Sequence, residues 1–220
     1  MPTRKSELTR QKLFEVSLKL FQEKGFEQTT MRDIGAAAGL AAGAAYYHIK
    51  SKEELIFDLY DRTFTEHLPA AEKVLKESLN LQDRLSGLIT AHLKSSEPYW
   101  QLSRELLKTA SLPGHPLSPF SKESKPLRDL NIALLGRALA SPVKLSPALR
   151  QSLPPLLWMY KMAMLLYWLH DDSPRRQKTY ALVQSSSLLV ARLIKLSDLP
   201  GLRGFASDSI RTFDEFKLFH

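Results

Sequence analysis

Few stretches of this sequence combine residue types and spacing that could do chemistry. The clearest is GAAAGLAAGAAYYH at residues 35–48, followed by Ile49-Lys50-Ser51-Lys52-Glu53-Glu54. Ten of the eleven residues 35–45 are Gly or Ala, so the stretch is almost bare of side chains. It ends in two phenols, an imidazole and two ammonium groups. All are hydrogen-bond donors, and the lysines suit an anionic partner. A second candidate, His170-Asp171-Asp172, has the composition of a metal site. Three consecutive residues cannot converge as ligands one helical turn apart do, so a helix-terminal histidine beside turn residues is the better reading. The histidines at 67, 92, 115 and 220 are scattered and suggest no cluster.

Other chemistries lack their residues. There is no cysteine, which excludes disulfides, thiol catalysis and Cys-based zinc sites and makes an intracellular, cytoplasmic protein the simplest reading. No Ser-His-Asp arrangement is readable. Gly35, Gly39 and Gly43 have neither the strand nor the G-x-G spacing of a dinucleotide site. No metal, no cofactor and no enzymatic activity are expected.

The net charge of +8 and pI of about 9.6 point to an acidic partner, nucleic acid first and an anionic membrane surface second. The charge is uneven: residues 1–52 hold nine Lys or Arg against five acids, half of the whole excess. At 220 residues and 44% hydrophobic content the chain can build a sizeable core. The apolar run at 156–169 is too short for the roughly 20 residues of a membrane span and contains Lys161, so it reads as a buried helix.

The elements that must position these groups are helical nearly throughout, which gives an all-α fold class. Helices are expected at about 6–24, after Thr30, at 42–48 and from Ser51. Pro69 should kink or end the last of these. Further helices are expected near 69–79, 80–95, 97–110 and 123–140, then at 147–170, disturbed by Pro154-Pro155, and at 174–196. Residues 111–121 form a proline-rich loop, Ser141-Pro142 marks a break, and the tail holds a short helix carrying Phe213 and Phe216. Thr30 with Asp33, and Ser51 with Glu54, have capping-box spacing.

Two short helices around Gly39 read as a helix-turn-helix, with Gly39 supplying positive φ and Gly35 keeping the crossing close. The outer face of residues 42–48 then enters a groove about 12 Å wide. A helix this short cannot aim Tyr46 and Tyr47 the same way. Lys52 stands at a helix start, where a cation is disfavoured by the dipole unless an anion is near.

Thr9-Arg10 through Phe21-Gln22-Glu23-Lys24-Gly25-Phe26, Thr29-Thr30-Met31-Arg32-Asp33-Ile34, Ala38-Gly39-Leu40, Tyr46-Tyr47-His48 and Ser51-Lys52-Glu53-Glu54-Leu55 together resemble the N-terminal domain of the TetR family of transcriptional regulators. The resemblance implies a DNA-binding domain at 1–50 and an effector-binding and dimerisation domain at 51–220. It implies a homodimer on a palindromic double-stranded operator, released by a small molecule, with no membrane role. Thr30, Ala42, Ala44, Tyr46, Tyr47, His48, Lys50 and Lys52 would face DNA, mostly at phosphates. The dimer would form through about 147–170 and 174–196, where Leu182, Ser185-Ser186, Leu189 and Leu193 recur at helical spacing.

The sequence departs from the family where polar residues are usual: Ala41 replaces a capping hydroxyl, worth about 1 kcal/mol, and Ala44 a base-reading one. Phosphate anchoring is therefore expected to dominate, with Tyr47, His48 and DNA shape carrying specificity. Trp100, Phe120, Trp158, Met162 and Tyr167 are the candidate lining of a largely apolar effector site, although the run 158–168 reads equally well as core or dimer seam. Two other classes fit the composition: an all-α enzyme or carrier for an apolar molecule, and a membrane-surface protein. Salt-dependent DNA binding separates the first from both.

Overall fold

The computed structural model describes residues 4–140 and 145–197, with Ala42 by its backbone alone. The break expected at Ser141-Pro142, the helix carrying Phe213 and Phe216, and His220 lie outside the described residues. Nine α-helices are described, with no strand among the described residues. They are α1 (Arg4–Lys24), α2 (Met31–Ala37), α3 (Ala42–His48), α4 (Lys52–Glu77), α5 (Leu81–Ser96), α6 (Trp100–Ala110), α7 (Lys125–Ala138), α8 (Pro147–His170) and α9 (Gln177–Ser197). Short 3-10 turns precede α6 at Glu97–Tyr99 and α9 at Pro174–Arg176. The described residues divide into two compact units: 4–63 with 98–125, and 64–97 with 126–140 and 145–197.

In the first unit the apolar stripe of α1, with Leu13, Phe14, Leu18 and Phe21, packs with Met31 and Ile34 of α2, Ala45 of α3 and Leu55, Ile56 and Leu59 of α4. Leu102 and Leu106 of α6 and Leu117 close the cluster. In the second unit Leu81, Leu85 and Leu88 of α5 pack with Leu134 and Leu135 of α7, Leu149 to Trp158 of α8 and Ala191 and Ile194 of α9.

Helix α4 continues through Pro69 rather than ending there. Proline removes one hydrogen bond, to the Thr65 carbonyl, but Thr65 and Pro69 both lie on the exposed side. Water can serve the freed carbonyl while Phe64, His67 and Ala71 stay packed inside. Helix α8 likewise runs through Pro154-Pro155. The helix near 174 starts later than its Ser-Pro signal suggests. Arg175 and Arg176 have positive φ (51° and 53°), and regular helix begins at Gln177.

Asp171 anchors that start. Its carboxylate accepts from Ser173 N–H (2.9 Å), Thr179 N–H (2.8 Å) and Thr179 Oγ1 (2.7 Å). Burial pushes the carboxyl up, but these hydrogen bonds outweigh it and hold it far below the ordinary carboxylate range. Asp171, beside His170, thus serves a helix end. His170 Nδ1 itself lies 2.8 Å from the Leu166 carbonyl. No group of three or more metal-binding side chains occurs among the described residues. No helix among them is long and apolar enough to cross a membrane.

Candidate nucleic-acid interface

The site is built on the turn between α2 and α3. Thr30 caps α2: its hydroxyl accepts from Asp33 N–H (3.1 Å) and donates to Asp33 Oδ2 (2.6 Å), which also accepts from Thr30 N–H (2.9 Å). These bonds from Thr30 hold the Asp33 carboxyl below its usual value. At the other end Leu40 N–H reaches the Gly35 carbonyl (2.8 Å) and Gly39 N–H the Ala36 carbonyl (3.0 Å). That is the Schellman pattern, and Gly39 takes the left-handed conformation it needs, φ 74°. Leu40 folds back onto the core.

Helix α3 leaves this turn without a side-chain cap, since Ala41 has no hydroxyl. Its inner face is Ala45, fully buried, with Ile49 one turn on. A side chain as small as Ala45 lets α3 lie close to the core. The outer face then carries the chemistry. Tyr47 is 84% exposed and Tyr46, half covered, 53%. Gly43, Ala44 and Lys50 are exposed as well.

His48 is fixed from α1. Ser6 Oγ lies 3.3 Å from His48 Nδ1, and the ring meets Tyr47 edge-on at 5.2 Å. Arg10 ties the same point to α4: it donates to the His48 carbonyl (2.9 Å) and, with its second guanidinium nitrogen, to both Asp58 oxygens (2.9 and 2.7 Å). Burial opposes this guanidinium's charge, but Asp58 and Glu54 outweigh it and raise its pKa.

Lys52 has partners inside the chain. Its ammonium donates to the Phe26 carbonyl (2.7 Å), lies 3.4 Å from that of Glu27, and sits 4.5 Å above the Phe26 ring. These contacts offset the dipole penalty without any phosphate. At the start of α4, Glu54 N–H meets Ser51 Oγ at 3.4 Å, while the Glu54 carboxylate takes Lys50 N–H (2.7 Å) rather than that of Ser51.

The structure therefore gathers Thr30, Ala44, Tyr46, Tyr47, His48, Lys50 and Lys52 around one turn and one short helix; the side chain of Ala42 is outside the described residues. Sequence reading missed Ser6, Arg10 and Asp58, which hold that helix. No local signal marks them, because Arg10 and Asp58 are 48 positions apart. The effector candidates divide between the two units. Trp100, half-buried under Arg104, and Phe120, 56% exposed in the 111–124 loop, belong to the first unit. Trp158, Met162 and Tyr167 belong to the second: Trp158 is buried, Met162 packs against the core cluster that includes it, and Tyr167 is 41% exposed. His67 and His92, which look scattered in sequence, do meet, with ring centroids 5.2 Å apart. They lie on different helices, so only packing brings them together.

Two family profiles match this chain: "Bacterial regulatory proteins, tetR family" over residues 13–59 and "Tetracyclin repressor-like, C-terminal domain" over residues 84–208. The second covers more than half of the sequence. The chain belongs to the TetR family of transcriptional regulators. Among curated relatives, the transcriptional repressor KstR2 of Mycobacterium tuberculosis is 36% identical over 89 residues, 40% of this chain and 44% of that protein. The alignment thus spans less than half the length of that relative. Among solved structures, the TetR regulator of Nitrosomonas europaea shares the fold with a TM-score of 0.64 at 17% identity, covering 84% of this chain and 98% of that one. Thermus thermophilus FadR, solved with lauroyl-CoA, does so with a TM-score of 0.61 at 16% identity, covering 87% and 99%. Family and fold thus agree on an all-α protein with an N-terminal helix-turn-helix.

Proposed function

We propose that this chain is a cytoplasmic, homodimeric repressor that leaves its operator when a small, largely apolar effector binds, and that it has no enzymatic role. The observation that carries the DNA-binding surface is the exposure of Tyr46 and Tyr47 beside a helix face stripped to Gly43 and Ala44. In this reading α3 lies in the major groove. The phenols, His48, Lys50 and the Thr30 hydroxyl grip phosphates, and Lys52 adds charge with whatever donor its internal bonds leave. The Ala42 and Ala44 methyls can touch thymine but offer no hydrogen bond.

Dimer formation has support in the second unit. Leu189, Leu193 and Leu196 of α9 and Leu166 and Tyr167 of α8 are 41–59% exposed. Apolar side chains repeating at turn spacing on the outside of two helices are what a four-helix interface would cover. The inner side of α9 is satisfied within the chain, where Tyr160 Oη lies 2.7 Å from Ser186 Oγ and 3.1 Å from Ser187 Oγ. A dimer would hold two α3 helices about 34–36 Å apart, one turn of DNA. An effector acting through α4 would change that spacing only by binding one of the two states more tightly.

The experiment is selection of a binding sequence from random duplex DNA, followed by fluorescence anisotropy against salt. The reading expects a palindromic site, a steep salt dependence, and uniform weakening by Tyr46→Phe, Tyr47→Phe and Lys50→Ala. Salt-independent binding, or variants equal to the parent, would refute it.

A further inference from the structure

The second unit holds a buried lysine with no carboxylate bonded to it among the described residues. Lys161, in the middle of α8, is 5% exposed. Its ammonium donates to Asn131 Oδ1 of α7, while Asn131 Nδ2 donates to the Leu127 carbonyl (2.8 Å). An ammonium carries three N–H donors. Among the described residues, that one amide oxygen is their only acceptor, and no carboxylate meets them. Burial lowers the Lys161 pKa to about 7.

The surroundings are basic too. His92 of α5 has its Nδ1 sealed from solvent with no partner among the described residues. Burial first, then the charge of Lys161 and of His67, keep that ring neutral. His67 approaches from α4, and Arg128 is buried one turn before Asn131 on α7. The neighbouring buried side chains of α8 are apolar: Leu157, Trp158 and Met164. A buried charge lacking its counter-charge is costly, and such groups collect where something binds.

We propose that Lys161, Asn131 and His92 form the head-group site of an effector that is an organic anion, with its apolar body along the α8 side chains. The proposal rests on the effector-controlled reading above and gives the chemical class of that effector. The anion supplies the acceptor that Lys161 lacks, Asn131 holds the ammonium from the other side, and the neutral His92 ring can donate from Nδ1. Because the bound anion stabilises the ammonium form, binding takes up a proton wherever the free lysine is neutral. Affinity therefore falls as pH rises above about 7, approaching tenfold per pH unit.

The test is calorimetry on the full chain without DNA at pH 8, with decanoate, decyl phosphate and decanol as probes. The expected result is that at least one anion binds about tenfold more tightly than decanol. Its heat should differ between phosphate and Tris buffers by the uptake of about one proton. Lys161→Met should bring anion affinity down to that of decanol, leave decanol unchanged and abolish the proton uptake. If that variant does not fold, the parent's preference and proton count still decide. Equal binding of all three probes, no binding of either anion, or heats independent of buffer would overturn the proposal. No DNA is present, so a chain that binds an anion but no duplex would sink the repressor reading alone.

Discussion

Gly87 of α5 sets two physical effects against each other at its contact with α4. A Cβ at this position would stand 2.6 and 2.9 Å from Val74 Cγ1 and Cγ2, and 3.4 Å from its Cβ. Replacing an interior helical Gly by Ala ordinarily stabilises by about 1 kcal/mol. Overpacking a fitted contact costs about 1–3 kcal/mol. Val74 cannot turn away, because a β-branched side chain in a helix is held to one preferred rotamer and both of its methyls are already too close. Relief requires the two helices to separate, which puts the cost near the top of its range. Gly87→Ala should therefore lose about 1–2 kcal/mol net. Urea unfolding followed by circular dichroism measures it. Val74→Ala removes both methyls, so in that background Gly87→Ala should become neutral or stabilising, a coupling of at least about 1 kcal/mol. A Gly87→Ala protein as stable as the parent, or strictly additive single and double variants, would refute the argument.

Arg10→Met removes the guanidinium between the His48 carbonyl and Asp58. With both partners partly open to water, it should cost about 1–2 kcal/mol in urea unfolding and weaken DNA binding by loosening α3. Asp171→Asn should cost about 1–2 kcal/mol by depriving Ser173 or Thr179 of an acceptor. The folded pKa of Asp171 is depressed, so its contribution is present above the ordinary value of 3.8 and is lost as pH falls through the folded value. Acid titration of unfolding should accordingly be shallower in the variant. Leu193→Asp, on the exposed stripe of α9, should raise the dimer dissociation constant by at least tenfold in sedimentation (about 1.4 kcal/mol) without lowering helix content.

What could be read in the linear chain was whatever neighbours along it decide. The bounds of α3 at Ala42 and His48, the Thr30–Asp33 box and the left-handed Gly39 all follow from residues within four positions of one another. Pro69 did not end α4, for the converse reason. Its local rule is sound, but whether the lost hydrogen bond matters depends on which side of α4 meets water.

Residue types, periods and caps thus determined an all-helical chain with a basic helix-turn-helix front, because a helix end or turn is settled by bonds spanning three to five residues. Only the tertiary structure decided that Lys52 leans on Phe26, that Arg10 and Ser6 hold His48, and that Lys161 is buried against Asn131 beside the His67–His92 pair. These partners are 25 or more positions apart. Their meeting depends on how whole helices pack, which no local pattern encodes.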